Sequence, residues 1–271
     1  MNKFKKYLVI GNPIEHSLSP KLHNFWIKKN NIDAIYDKKK LEENEIESFF
    51  KNIKIQKIAG LNVTVPFKKT IIQYLDELEP TAKKTGSVNT LIKKGDKIIG
   101  HNTDEPGFGL TLKEIFQKKN ITPKNIFILG AGGVTSSIIC AFEKFKTKIF
   151  LTNRTKEKAT DLKKQYPEID ILEWGKIPEA FDLVINTTSV GLKKDEKIDL
   201  NFDQVKGDKK KIFYDLIYNP KETNFLKEAK LRGNIAVNGQ KMFLNQAMLA
   251  FNLWTNIKPE IDNNVIKLLD K

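Results

Sequence analysis

The sequence predicts a two-domain α/β protein, an N-terminal α/β domain followed by a doubly wound parallel sheet. Three observations predict it. Short apolar runs alternate with segments of helical periodicity along nearly all of the 271 residues. One of those runs, "NIFILG", ends in the glycine turn Gly130-Ala131-Gly132-Gly133 and opens a helix. A hydrophobic content of 40% supports a core large enough for two domains.

The elements follow in order. "YLVI" reads as a short buried strand, closed by Gly11-Asn12-Pro13, because Pro13 removes a donor and restricts Asn12. Ser19 followed by Pro20 reads as a helix start, with serine as N-cap and proline at the first helical position. Leu22, Phe25 and Trp26 then recur at helical spacing. "AIYD" and "IAGLNVTV" are further strands, and helices are expected near Glu43 and near Lys69. "NTLIKKGDKIIGHNTD" reads as a hairpin with Gly95-Asp96 as its two-residue turn.

After Asp104 the pattern changes. "GLTLKEIFQKKN" is an amphipathic helix and "NIFILG" a strand. A helix of small and apolar residues follows from Val134 to about Phe145. "KIFLTNR", "IDILEW", "FDLVINTTSVG", "KIFYDLIYNP" and "NIAVNG" are the next strands. "ETNFLKEAKLRG" is a helix ending on Gly233. Apolar strands separated by helices indicate a parallel sheet covered on both faces. The last thirty residues are helical with a broad apolar face. The expected domains are residues 1–104 and 105–239, with the helical segment 240–271 packing back onto the first.

Composition limits the function. Net charge is +14, but the lysines are spread along the chain and only Arg154 and Arg232 are arginines. Base-reading and phosphate-clamping surfaces favour arginine, so no nucleic-acid partner is expected. Cys140 is the only cysteine, which excludes an intramolecular disulfide and a cysteine metal cluster and fits a reducing cytoplasm. The opening "MNKFKKYLVIGNP" has an apolar run too short for a signal peptide, and no run reaches the length of a membrane span. No membrane partner and no metal are expected.

The chemistry begins at "ILGAGGVTSS". Glycines there let the backbone turn tightly and approach a pyrophosphate at a helix start. The spacing is Gly-x-Gly-Gly, so the strand–turn–helix context carries the reading more than the pattern does. The next strand ends in "LTNRTKEK", with Asn153, Arg154 and Thr155 where NAD-using folds place a carboxylate. Cationic and hydroxyl groups there bind a 2′-phosphate, which selects NADP. In the first domain, "NVTVPFK", "GSVNT" and "HNTDEPGFG" each set small polar groups beside a strand end. Lys68 and Asp104 would manage a proton beside a reacting hydroxyl or carbonyl. Each group also has a plainer use: Lys68 as a solvated lysine, Asn62, Asn89 and Asn102 as turn residues, Asp104 as a helix cap.

These motifs, together with "GNPIEHSLSPKLHN", "NTTSVG", "YDLIYNP" and "NQAMLAFNLW", occur in an order that resembles the shikimate dehydrogenase family from Gly11 to about Trp254. The resemblance implies a Rossmann-type NADP domain and NADPH-dependent, reversible reduction of 3-dehydroshikimate to shikimate in the chorismate and aromatic amino-acid pathway. It implies that Ser17 and Ser19 hold the substrate carboxylate with help from Tyr218. Thr64, Asn89, Asp104 and Gln246 would meet the ring oxygens, and Lys68 with Asp104 would be the catalytic pair. Gly130, Ala131, Gly132 and Gly133 would lie against the cofactor phosphates, and Asn153, Arg154, Thr155 and Lys158 against the 2′-phosphate. Thr187, Ser189 and Gly239 would border the nicotinamide half. His16, His23 and His101 receive no catalytic role. The chain departs from the family pattern at Ser137, where a basic residue is common after the glycines, at Lys241 and at Ser87. The rivals are a quinate or quinate/shikimate dehydrogenase of the same fold and a non-catalytic NADP-binding protein. The expected partner is a small-molecule substrate, and the expected assembly a monomer or homodimer.

Overall fold

The computed structural model describes residues 4–53, 58–202 and 210–269. The chain divides into two compact units, Met1–Gly107 with Leu244–Lys271, and Phe108–Phe243.

The first unit contains β1 (Lys5–Gly11), α1 (Ser19–Lys29), β2 (Ala34–Lys40), α2 (Ile46–Ile53), β3 (Ile58–Val63), β4 (Glu77–Leu78), α3 (Pro80–Thr85), β5 (Thr90–Lys94) and β6 (Lys97–His101). The chain leaves it within α4 (Asp104–Lys119) and returns within α8 (Gln240–Thr255), and α9 (Asn263–Leu269) closes it. Its sheet runs β2-β1-β3-β5-β6-β4. β1 lies parallel to β2 and β3, while β5 lies antiparallel to both of its neighbours, β3 and β6. The hairpin turn is as expected, with Lys94 opposite Lys97 and Gly95 at a φ of 63°. That positive φ is open to glycine at no steric cost.

Two local expectations are corrected, and one alternative is decided. Helix α1 is capped at Leu18 with no side-chain bond, and Ser19 is its first residue. The reason lies one residue earlier: Ser17 Oγ accepts the Ser19 N–H at 3.3 Å, so the serine hydroxyl closes a turn before the helix. The segment after Lys69 is a 3₁₀ turn, Thr70–Tyr74, whose Ile72 and Leu75 amides donate three residues back. Its run of β-branched residues, Thr70-Ile71-Ile72, disfavours a longer α-helix. Asn62 lies buried within β3, as the strand reading of "IAGLNVTV" expects, and not in a turn.

The C-terminal helix is fixed to this sheet. Leu244, Ala247, Met248 and Phe251 of α8 are buried at helical spacing. The Trp254 indole N–H donates to Leu91 O at 2.9 Å, and its ring stacks on Tyr7 with centroids 5.0 Å apart. Gly60 on β3 makes the room, since a Cβ there would run into that indole.

The second unit contains β7 (Asn125–Leu129), α5 (Thr135–Ala141), β8 (Lys148–Thr152), α6 (Lys156–Gln165), β9 (Asp170–Leu172), β10 (Leu183–Asn186), β11 (Ile212–Asp215), α7 (Asn224–Leu231) and β12 (Ile235–Val237). The strand order is β12-β11-β10-β7-β8-β9, and every pairing is parallel. β7 and β10 are therefore the neighbours at which the order reverses, the crevice where such sheets bind ligands. Alternation along the strands covers both faces. Ile126 and Ile128 enter one core with Leu183, Ile185, Ile212 and Tyr214, whereas Phe127 and Leu129 enter another with Val184 and Phe213. α5 is shorter than its apolar run predicts. At Phe142, Glu143 and Phe145 the amides donate three residues back, so the helix tightens into turns around those phenylalanines.

One buried histidine sets a pH limit on the first unit. His23 of α1 lies flat on Tyr36 at 4.3 Å and meets Trp26, Phe251 and Trp254 at their rings. Its Nδ1 finds no hydrogen-bond partner among the described residues. Burial holds its pKa at about 3, down from 6.5. The unfolded chain therefore binds the extra proton between those values. Stability is complete above pH 6.5 and is lost as pH falls toward 3. Between pH 6.5 and 4.5 the wild type should lose about 2–3 kcal/mol more than His23→Phe in urea unfolding. Equal acid losses in the two proteins would remove His23 as the cause.

Candidate active site

The first unit gathers its polar residues where β3 and the β5–β6 hairpin end. β3 delivers Thr64 one residue past its last strand position, and Thr64 N donates to Ile10 O at 2.9 Å. Gly11 at the end of β1 is required here, because a Cβ would collide with the Thr64 methyl group. Four residues on, Lys68 is buried, and its carbonyl accepts the Val88 N–H at 2.8 Å. The hairpin then delivers Asp104 as the first residue of α4. Asp104 does not need to cap that helix. Asn102 Oδ1 accepts the Glu105 N–H at 3.0 Å, while Asn102 Nδ2 donates to Ser87 O at 2.8 Å.

Lys68 Nζ donates to Asp104 Oδ2 at 2.6 Å, with the two side chains only 11% and 6% exposed. The other ion pairs among the described residues are of a different kind. Those such as Lys51–Glu47 and Lys164–Asp161 lie on the solvent face, where water screens the attraction.

Beside the pair runs a network of buried amides and hydroxyls. Tyr36 Oη donates to Asn62 Oδ1 at 2.6 Å. Asn62 Nδ2 donates to Asn89 O and Thr90 Oγ1, both at 3.0 Å. Asn89 Oδ1 accepts the Thr103 N–H at 2.8 Å. That acceptance fixes the amide the other way round at Nδ2, which donates to Thr103 Oγ1 at 2.9 Å and to Gln246 Oε1 at 3.4 Å. Gly107 allows α8 to come this close, since a Cβ there would sit 2.8 Å from Gln246 N. The structure thus brings together Lys68, Asp104, Asn89 and Gln246. Ser17 and Ser19 form a half-buried pair at the head of α1. Tyr218 belongs to the second unit, stacked on Phe243 at 4.3 Å.

In the second unit the glycine turn stands at the end of β7. Gly130 has a φ of 107°, and a Cβ there would lie 2.7 Å from Thr188 Cγ2, so only glycine fits. Gly132 is exposed, and a Cβ on it would meet protein only at Thr187 O, 3.9 Å away. That leaves open space against the backbone, as a phosphate group requires. Asn153 Oδ1 accepts the Ala131 N–H at 3.0 Å, and Asn153 Nδ2 donates to Thr155 O at 2.7 Å. One amide therefore ties the glycine turn to the loop after β8. Arg154, Thr155, Lys156 and Lys158 are exposed around it, a surface with two hydroxyl and amide groups and three cations. Their chemistry fits a phosphorylated ribose.

Thr187 lies at the end of β10, and its hydroxyl donates to Leu129 O at 2.8 Å. The Thr135 hydroxyl donates to Gly130 O at 3.2 Å. Both brace the glycine turn from below. Ser189 is exposed two residues on, and Gly239 is buried against the Leu216 backbone.

Sequence reasoning missed two residues that organise this unit. Asp215 ends β11 and Asn186 ends β10, and the two are bonded at 3.0 Å. Burial raises the Asp215 pKa to about 6, against the hydrogen bonds of Thr223, Ile217 and Asn186, which lower it. The available signal was an acid and an amide standing at the ends of otherwise apolar strands.

The chain is similar to known proteins over nearly its whole length. The sequence model of a family described as the shikimate dehydrogenase substrate binding domain matches residues 9–91. A second, described as shikimate / quinate 5-dehydrogenase, matches residues 111–224. A shikimate dehydrogenase (NADP(+)) of Pelagibacter ubique is 54% identical over 98% of this chain and 99% of its own length. The crystal structure of shikimate dehydrogenase from Aquifex aeolicus superimposes with a TM-score of 0.88 at 37% identity, covering 98% of each chain. That of shikimate 5-dehydrogenase from Thermus thermophilus, in complex with NADP(H) and shikimate, gives 0.85 at 28% identity over 98% of this chain and 99% of that one.

Proposed function

Because the chain belongs to the shikimate dehydrogenase family, we propose that it catalyses the NADPH-dependent, reversible reduction of 3-dehydroshikimate to shikimate in the chorismate and aromatic amino-acid pathway. The observation that carries the reading is the buried Lys68–Asp104 pair at 2.6 Å beside the Asn89–Gln246 contact. A buried ion pair is a poor stabilising device, since well-packed apolar residues of similar volume often do as well or better. An ammonium held beside fixed amides is, however, what a developing alkoxide needs.

Residues 1–107 with 244–271 would bind substrate, and residues 108–243 would bind NADP. Ser17 and Ser19 would offer hydroxyl hydrogen bonds to the substrate carboxylate. Thr64, Asn89 and Gln246 would meet the ring oxygens and fix which carbonyl is presented. When bound, NADPH supplies a hydride to the ketone carbon. Lys68 Nζ faces the oxygen on which negative charge then develops and gives it a proton, directly or through a water. Asp104 orients the ammonium and keeps its charge compensated in a buried site. Gly130, Ala131, Gly132 and Gly133 would hold the cofactor phosphates, with Asn153, Arg154, Thr155 and Lys158 on the 2′-phosphate. Thr187, Ser189 and Gly239 would border the nicotinamide half.

No helix among the described residues is long and apolar enough to cross a membrane. A cytoplasmic enzyme acting as a monomer or homodimer, with no nucleic-acid partner, completes the reading. Oxidation of NADPH followed by its absorbance, with 3-dehydroshikimate beside 3-dehydroquinate, tests it. Turnover of the first and at most slow turnover of the second is expected. Preference for 3-dehydroquinate would overturn it.

Two substitutions test the assignments. Lys68→Ala should lose at least about a hundredfold in kcat while still binding NADPH. Near-normal kcat would leave Lys68 outside the chemistry. Arg154→Asp should weaken NADPH binding by about 1.5–3 kcal/mol through loss of a charge-assisted bond, and affect NADH less. Equal losses for both cofactors would contradict the 2′-phosphate assignment.

A further inference from the structure

Asp215 is, among the described residues, the most buried carboxylate of the second unit that the proposed chemistry does not use, with no exposed surface. No lysine or arginine pairs with it among the described residues. Its charge is met by three hydrogen bonds instead. Thr223 Oγ1 donates to Oδ2 at 2.6 Å, and Asn186 Nδ2 and Ile217 N both donate to Oδ1 at 3.0 Å. Removing a partner from such an anion costs more than an ordinary hydrogen bond.

The three donors belong to three different pieces of chain. Thr223 caps α7 through the same hydroxyl, which accepts the Leu226 N–H. Ile217 heads the segment after β11, and its carbonyl accepts the Gly239 N–H at 3.1 Å. Asn186 heads the loop after β10. Its Oδ1 accepts from Thr188 N at 3.0 Å and Thr188 Oγ1 at 2.7 Å, and its Nδ2 also donates to Val190 O at 3.1 Å. The backbone repeats the link, because Leu216 N donates to Asn186 O at 3.0 Å. Thr187 and Ser189 alternate with the residues bonded in this way, and Gly239 hangs on the Ile217 carbonyl. These are the residues proposed to border the nicotinamide half. The residues proposed for the adenosine half, Asn153 to Lys158, have no bond to the network among the described residues.

We propose that Asp215 is a positioning residue for the nicotinamide half of NADP, acting through Asn186 and Ile217 on the loops that carry Thr187, Ser189 and Gly239. The inference rests on the cofactor reading above. It makes a demand that a merely structural carboxylate would not meet. Its loss must weaken the nicotinamide end of the cofactor and leave the adenosine end intact.

The test compares NADP+ with 2′,5′-ADP, which carries only the adenosine half, by calorimetric titration of the full chain. In Asp215→Asn an amide replaces one acceptor oxygen and opposes a donor. The dissociation constant for NADP+ should rise about tenfold or more, while that for 2′,5′-ADP changes by less than about twofold. Thr188→Val, which keeps shape and removes one link further along the network, should shift the same ratio in the same direction by a smaller factor. It carries the test if Asp215→Asn does not fold. Equal weakening of both ligands, or no change in their ratio in either variant, would overturn the positioning role. Wild-type protein that bound neither ligand would overturn the cofactor reading and this inference with it.

Discussion

The arrangement of the first unit depends on placing an ammonium and a carboxylate together out of water. Lys68 and Asp104 lie 36 positions apart in sequence and meet at 2.6 Å. Each is delivered by backbone that is fixed independently. Lys68 follows the end of β3 and is held through its carbonyl by Val88, and Asp104 follows β6 and opens α4. Desolvating both charges costs several kcal/mol per ion before their attraction returns it. The surrounding polar groups are accordingly satisfied one by one: Asn89 by Thr103 and Gln246, Asn62 by Tyr36 and Thr90, Asn102 by Thr85 and Ser87. The result is a cluster whose amide orientations are set by hydrogen bonds within the unit itself.

The second unit solves a different problem, binding a long anion with little charge of its own in the interior. Its glycine turn offers open backbone at Gly132, while Thr135, Thr187 and Asn153 hold that backbone in place. Arg154 stands exposed on the loop after β8, with Lys156 and Lys158 exposed at the start of α6. Asp215, a buried carboxylate, fastens the ends of β10 and β11. The two halves of the proposed cofactor site are thus supported separately.

Much of this was legible in the sequence, for local reasons. The parallel sheet followed from apolar strands between helices, and the hairpin from Gly95-Asp96 between apolar runs. Glycine turn and cofactor loop were readable because each is continuous in sequence and its chemistry resides in neighbouring residues. The family resemblance added roles that spacing could not supply, such as Gln246. The contact of Gln246 with Asn89 spans 157 positions, and no periodicity reports such a distance. Asn62 admitted two readings, strand and turn, and the Tyr36 hydroxyl 26 positions earlier, which satisfies its amide inside β3, decides for the strand. Asp215 and Asn186 went unseen because their meaning lies in their pairing across adjacent parallel strands, which appears only once register is known. The serine at position 19 was read as a cap because Ser-Pro is a common helix start, yet Ser17 closes the turn.

The most direct measurement is a double-mutant cycle on kcat, with Lys68→Met, Asp104→Asn and the double variant assayed on 3-dehydroshikimate and NADPH. If the pair acts as one catalytic unit, the double variant should be little slower than the slower single variant, because the second substitution removes what the first has already disabled. A double variant whose loss equalled the product of the two single losses would show that Lys68 and Asp104 contribute independently, and would contradict the account of the buried pair as the centre of the site.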